Sequence, residues 1–420
     1  MLAALSSSSM SLDQAWASVA AALQVLVTFR TLAAIGLGAL AYWLTPCRYR
    51  RLTLVAISIA IILVGYQRPF WLVAIVAAVC GLVYAAVRAG CPRPAILASL
   101  VALYVVLHGL FGLLTFTPWL DWSGLTPESV LPTIGLTTAF TFLRLVHFSA
   151  DYARPSAPRP PLPNPLTFGA WCVFFSTFVH LPLIRYQAWA EQFAELPRRL
   201  TLRALGVGCY RIGQGLCKGV LIALAFVTLN PNAVLLAPTG RGAGELFAAA
   251  IASAVLYYVG FSAFMDVGIG AARLFGIVLP ENFAPVSRMI RINRMRDFWR
   301  NWNITTTRWL HDYVYQPLGG HRRHPVRNVM LTMTACGLWH SVSLLGAAWG
   351  IGLGLLLVLE HAWNRQRIRH GWPDLPPALR SVLLLCALSL VNLALTPYAY
   401  TAQSAKYFYP LYWLGIAPGR

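Results

Sequence analysis

RDFWRNWNITTTRWLHDYVYQPLGG (residues 296–320) and, six residues on, RNVMLTMTACGLWH (residues 327–340) set the class of this chain. The second segment is an apolar run that ends on a histidine, and an apolar run resumes almost at once, so His340 lies inside sequence of membrane quality. The first carries amide and hydroxyl side chains, Asn303 and Thr306 among them, close to Trp299, Arg300 and Trp302. Ionisable groups inside apolar spans are costly and often functional. A buried histidine that faces a cavity can stay neutral near physiological pH and act as a general base. Amides and hydroxyls at the same depth can bind a carbonyl or orient an acceptor.

The rest of the chain has the same character. Of 420 residues, 58% are hydrophobic and 11% charged, and the mean hydropathy is +0.62. A soluble domain carries about 25% charged residues. The composition therefore predicts an all-α membrane bundle of roughly ten spans, each about 20 apolar residues long. Lys and Arg total 33 against 13 Asp and Glu, a net charge of +20. The basic residues lie mostly between apolar runs, which excludes nucleic acid as their reason and matches cytoplasmic loops and anionic membrane lipids. The eight cysteines form no CxxC pair and no Cys/His cluster with zinc spacing, so no metal site is expected. Residues 1–11 carry no Lys or Arg, and the apolar run after them is too long for a signal-peptide core. They read as a short polar lead.

Expected spans are residues 19–44, 52–66, 70–87 and 95–116, followed by a short Thr-rich segment, 130–148, that spans or re-enters. Basic loops alternate with poorer ones, which puts the N-terminus outside and Arg48, Arg50 and Arg51 inside. ARPSAPRPPLPNP (residues 153–165) holds six prolines and cannot be helical. It divides the chain into an N-terminal scaffold (1–152), a Pro-rich cytoplasmic linker (153–165) and a functional half with the C-terminal spans (166–420). Beyond it come spans at 166–184, 207–229 with Lys218 inside, and 245–265. Residues 266–282 are expected to re-enter, because glycines, a proline and acids at membrane depth are tolerated only when buried in protein or lining a cavity. Arg288, Arg291, Arg294, Arg296 and Arg300, spaced by threes and fours, predict one helix face, lipid-headgroup-facing or holding an acidic donor. Spans at 326–339, 344–363 and 381–395 complete the bundle. His147 and Asp151 share a helix face and predict a structural polar contact. There is no GxSxG elbow, P-loop or dinucleotide GxGxxG. Transport without chemistry also uses re-entrant segments, but no pair of interrupted spans recurs in two halves.

FSAFMDVGIGAARLFGIVLPENF (residues 261–283), with the two opening segments in order after it, closely resembles the core of the membrane-bound O-acyltransferases and is most similar to the alginate O-acetyltransferase type. Residues 41–51, 131–152 and 178–186 resemble further stretches of that family. The resemblance implies an all-α, polytopic bundle of roughly ten to twelve spans and re-entrant helices around a catalytic tunnel, in a bacterial inner membrane. It implies that His340 is catalytic and that Asn303 stands at the family's second polar position, where polysaccharide acetyltransferases usually carry His. Asn303 would bind the acyl carbonyl or orient the acceptor, Trp299, Trp302 and Trp339 would line the tunnel, and Asp266 would be an arginine's partner or a wall residue. Arg300 and Thr306 belong to the same substrate-binding region. The implied reaction moves a small acyl group, acetyl, from acetyl-CoA or a carrier thioester to a hydroxyl of an exported polysaccharide, with no bound cofactor and with a periplasmic acyltransferase as partner. Lipid or protein acceptors, including D-alanyl transfer from a carrier protein, are the alternative.

Overall fold

The computed structural model describes residues 29–116, 127–152, 163–180, 182–196, 201–229, 242–289 and 291–400, and among these every regular element is a helix. The first four follow the apolar runs: α1 Phe29–Leu44, α2 Arg50–Ala60, α3 Phe70–Arg88 and α4 Arg93–Phe116. α2 loosens into a π turn, Ile61–Gly65, before Gln67 takes a positive φ of 51° and Pro69 starts the next helix. α5 is one helix, Pro127–Tyr152, longer than its apolar stretch suggested. Residues 153–162, most of the Pro-rich linker, lie outside the described part. At its end Asn164 caps the next helix, its Oδ1 accepting from the Leu166 and Thr167 amides at 2.9 and 3.3 Å.

Residues 166–184 do not form the expected span. They break into α6 Pro165–Val173 and α7 Phe175–Val179 around an extended Phe174, followed by irregular backbone to Arg185. Trp171, Phe174 and Phe175 are wholly buried. A broken helix leaves carbonyls without partners, and in an apolar interior each must be satisfied by protein. Arg144 of α5 supplies the donors: its guanidinium reaches the carbonyls of Trp171 and Cys172 and lies 4.5 Å over the Trp171 ring. A buried interruption of the kind expected of residues 266–282 occurs here as well as beyond Leu274, where the helix through Asp266 ends.

After α8 Tyr186–Ala194 come α9 Leu202–Leu229 and α10 Ala243–Leu274, the most extensively paired helices in the molecule. α10 runs straight through Asp266, Gly268 and Gly270. Gly270, expected from sequence to interrupt the helix, and Gly215 of α9 bring two backbones together: a Cβ at Gly215 would stand 2.7 Å from the Ala263 carbonyl, and one at Gly270 2.7 Å from the Gly208 carbonyl. Asp266 is anchored in this pairing. Its Oδ2 takes the Lys218 ammonium at 2.6 Å and its Oδ1 the Arg211 guanidinium at 2.8 Å, and Arg211 also holds Glu281 at 2.6 Å.

The arginine-rich stretch is not one helix. α11 Val286–Met289 stops, and α12 Met295–Asn301 starts afresh where Glu360 accepts the Met295 amide at 2.6 Å. α13 Ile304–Leu310 continues as a π turn, His311–Tyr315. α14 Pro325–His340 and α15 Leu344–Arg369 form a tight hairpin, and α16 Pro377–Tyr400 packs back on α15. By length and composition, α3, Phe247–Leu274 of α10 and Gly346–Arg369 of α15 can cross a membrane. Phe29–Leu44, Arg93–His108 and Pro377–Val391 are apolar but shorter. This is a helical membrane protein with three candidate spans among its described residues.

The hairpin has no room for a side chain at its contact. A Cβ at Gly337 would meet the Gly346 carbonyl well inside contact distance, whereas one at Gly36 in α1 would have no neighbour within 4 Å. Gly337→Ala is therefore expected to cost about 1–3 kcal/mol or more by overpacking, and Gly36→Ala to be neutral or slightly stabilising. Thermal aggregation followed by size-exclusion chromatography distinguishes the two; equal profiles would mean that the hairpin yields easily.

Candidate functional site

His340 is the last residue of α14, at the turn into α15. Its ring sits edge-on between two indoles, Trp339 at 4.5 Å and Trp349 at 5.2 Å between centroids. Neither ring nitrogen has a hydrogen-bond partner among the described residues. The base of the ring is nonetheless fixed. The Trp339 carbonyl accepts from the Tyr104 hydroxyl, and the Trp339 indole N–H donates to the Ala139 carbonyl at 3.2 Å. Those contacts tie the end of α14 to α4 and α5. The turn itself is stiffened by Ser343, which caps α15 by accepting from Gly346 N at 3.1 Å and pairs with Ser341 at 2.9 Å.

Asn303 precedes α13 in a left-handed conformation, φ 41°. Asparagine tolerates that region better than most residues. The conformation turns its side chain into a buried polar knot. Asn303 Oδ1 accepts from Asn282 Nδ2 and from Thr306 Oγ1, both at 3.0 Å. Asn282 is wholly buried, and its own Oδ1 accepts from the Thr305 amide at 3.0 Å and the Thr305 hydroxyl at 2.7 Å. Its carbonyl accepts from Ile304 N at 2.8 Å. The segment after α10 is thereby laid along the start of α13. With its oxygen used twice, Asn303 keeps its two amide N–H donors without an acceptor among the described residues.

An aromatic cluster joins these two polar points. Trp302 and Trp339 belong to it together with Tyr258, Phe283, Trp309 and Cys336. Trp302 lies against Phe283 at 5.4 Å and stacks on Phe298 at 5.2 Å. Trp309 is pinned by its indole N–H to the Leu143 carbonyl at 2.9 Å. Of the other residues singled out in sequence, Thr306 is inside this group. Trp299 packs in a neighbouring cluster with Met295, Met333 and Leu353, and Trp349 borders both clusters. Arg300 is exposed on α12. Asp266 is the structural acid described above.

His147 and Asp151 meet through a third residue. Tyr313 donates to Asp151 at 2.9 Å, and its ring stacks at 5.9 Å from that of His147. His180, buried, is held by the Phe264 carbonyl at 2.7 Å and by the Tyr66 hydroxyl. Asn282, Tyr104 and Trp349 were missed in sequence. Asn282 lies within the quoted VLPENF stretch but gives no hint that it will bond Asn303. Tyr104 and Trp349 carry no local signal at all, since their roles come from helices packed across the bundle.

The membrane-bound O-acyltransferase family (MBOAT) matches residues 101–399 of the chain. Among curated proteins, a probable alginate O-acetylase of Pseudomonas fluorescens is 32% identical over 249 residues, covering 57% of this chain and 48% of that protein. A peptidoglycan O-acetyltransferase of Helicobacter pylori is 29% identical over 209 residues, 47% of this chain and 38% of its own. A teichoic acid D-alanyltransferase of Streptococcus thermophilus is 26% identical over 236 residues, 50% and 55% respectively. The chain spans about half the length of the curated relatives it matches.

Proposed function

Because the chain belongs to the membrane-bound O-acyltransferase family, we propose that it transfers a small acyl group, acetyl, to hydroxyls of a cell-surface or exported polysaccharide. The observation that carries this reading is the pairing of a histidine whose ring nitrogens are free with an asparagine whose N–H donors are free, both against one aromatic cluster. In the proposed step the acceptor hydroxyl gives its proton to His340 while its oxygen attacks the thioester carbonyl. Asn303 donates to the carbonyl oxygen as charge grows there. The carbon–sulfur bond then breaks, and the leaving thiolate takes the proton back from His340. Acetyl-CoA or a carrier thioester is the donor, and a periplasmic acyltransferase receives or completes the transfer. Trp302 and Trp339 wall the tunnel, in an inner-membrane bundle of ten to twelve spans and re-entrant helices.

The direction of transfer follows from charge. α14 leaves the exposed basic turn at His321, Arg322, Arg323 and His324 and reaches His340 sixteen residues later, a rise of about 24 Å. Basic turns favour the cytoplasm, which supports a reading in which His340 lies toward the far side, where an exported acceptor would arrive. The alginate and peptidoglycan relatives support a polysaccharide acceptor. The teichoic acid relative keeps D-alanyl transfer from a carrier as the second reading.

The test is the acetyl content of surface polysaccharide, by NMR, in cells lacking the protein and in complemented cells. Loss and recovery of acetyl are expected; unchanged acetyl would move the search to D-alanyl esters, lipids and proteins. Asn303→Asp probes the site itself. It keeps both accepted bonds and removes the donors, so transfer is expected to fall by about 10²–10³ in a protein that still folds. Wild-type rates in this variant would deny Asn303 the carbonyl.

A further inference from the structure

Three guanidinium groups converge on one carboxylate oxygen at the end of α15. Arg380 lies 2.7 Å, Arg294 3.6 Å and Arg367 3.8 Å from Asp374 Oδ2. They come from three elements, brought together because Gly371, at φ 66°, turns the chain back so that Asp374 meets α15 and the first turn of α16. Each guanidinium carries five N–H donors, and among the described residues this single oxygen is the one side-chain acceptor that all three share. The Nε atoms of Arg367 and Arg380 are buried and without a hydrogen-bond partner. The other nearby acid, Glu360, is turned to the Met295 amide. Three guanidiniums here face two carboxylates, Asp374 and, beside Arg294, Glu360, which leaves an excess positive charge that an anion would complete.

The surroundings indicate which anion. Trp363 and Trp372 are exposed and lie 5.8 Å apart, with His370 stacked on Trp372 at 5.1 Å. Exposed tryptophans beside arginines, at the end of a helix able to cross a membrane, mark the level of lipid headgroups. Ile368, Leu379 and Val382, on either side of the cluster, are exposed too. A ligand with a phosphate head and apolar tails fits both features.

We propose that Arg294, Arg367 and Arg380 around Asp374 form a binding site for the headgroup phosphate of an anionic phospholipid. The site lies at the opposite end of α15 from Trp349 and His340, so it does not depend on the proposed chemistry. Asp374 holds the three arginines together in the empty site and gives them up in part when the phosphate arrives.

Native mass spectrometry of the delipidated full chain tests this, with dioleoylphosphatidylglycerol and dioleoylphosphatidylcholine as probes. The wild type is expected to prefer phosphatidylglycerol. The double variant Arg367→Gln/Arg380→Gln is expected to bind it about thirtyfold more weakly, from about 1 kcal/mol per arginine. Arg322→Gln/Arg323→Gln, in the other exposed basic turn, is expected to retain the preference. Asp374→Asn keeps all three guanidiniums and removes their competitor, so it is expected to bind phosphatidylglycerol at least as tightly as wild type. The proposal is overturned if wild type does not discriminate between the two lipids, if the Arg322/Arg323 variant alone loses binding, or if sodium pyrophosphate binds the site while phosphatidylglycerol does not. That last result would assign the arginines to a soluble phosphate.

Discussion

Alanine in place of His340 is expected to lower acyl transfer by about two to four orders of magnitude, the usual contribution of a positioned general base, with little change in stability. The ring is held only by the faces of Trp339 and Trp349, while Trp339 keeps its bonds to Tyr104 and Ala139 whatever stands at position 340. The turn is capped independently by Ser343. The loss should therefore appear in the turnover rate and not in the melting profile. His340→Gln sharpens the test, since glutamine can hydrogen-bond but cannot take up a proton near neutral pH. Both variants should be inactive in membranes supplied with donor thioester and acceptor. A glutamine variant with substantial activity would make His340 an orienting group and would require another base.

Asp266→Ala is expected to destabilise the protein by about 3–5 kcal/mol, because it strands the Lys218 ammonium rather than removing a balanced pair. The Asp266 side chain is 6% exposed and serves both Lys218 and Arg211. Arg211 would keep Glu281, but Lys218 would keep only the Ser262 hydroxyl, 2.6 Å away. Adding Lys218→Met to Asp266→Ala is expected to recover most of the loss. Unfolding in graded denaturing detergent, monitored by tryptophan fluorescence, reads both variants. Failure of the second change to rescue would show that Asp266 acts through something other than the charges it neutralises.

Helix ends were legible where apolar runs stop at proline, as at Pro46 and Pro69. His340 stands out in sequence because it ends an apolar run, and Asn303 because it lies in a polar segment between apolar runs; both also fall in segments that resemble a family. Failures came where distant partners decide. Residues 166–184 have the composition of a span, but Arg144, some twenty residues or more upstream, lets them break. The glycines near Asp266 have the composition of an interruption, yet Gly270 serves a contact with α9 and Gly268 one with His180. The arginine spacing from Arg288 to Arg300 follows helical periodicity, but Glu360, 65 residues beyond Met295, begins a new helix within it. Trp302 and Trp339, grouped with Trp299 in sequence, share one cluster, and Trp299 is set apart in another.

Lys218 and Asp266 are 48 residues apart in the chain, and that interval has a meaning during synthesis. α9 leaves the ribosome with Arg211 and Lys218 before α10 exists. A cation at the centre of a lone helix costs about 2.5–3.5 kcal/mol to place in a bilayer, so α9 by itself is a poor candidate for early release into lipid. Its neutralising acid arrives one helix later, together with the glycines that let the two backbones touch. The nascent chain should therefore hold α9 at the insertion machinery until α10 is made, and the two should enter as a pair. In chains whose sole cysteine is Cys217 of α9, truncation just before α10 should leave that thiol open to a membrane-impermeant maleimide, and truncation just after α10 should not.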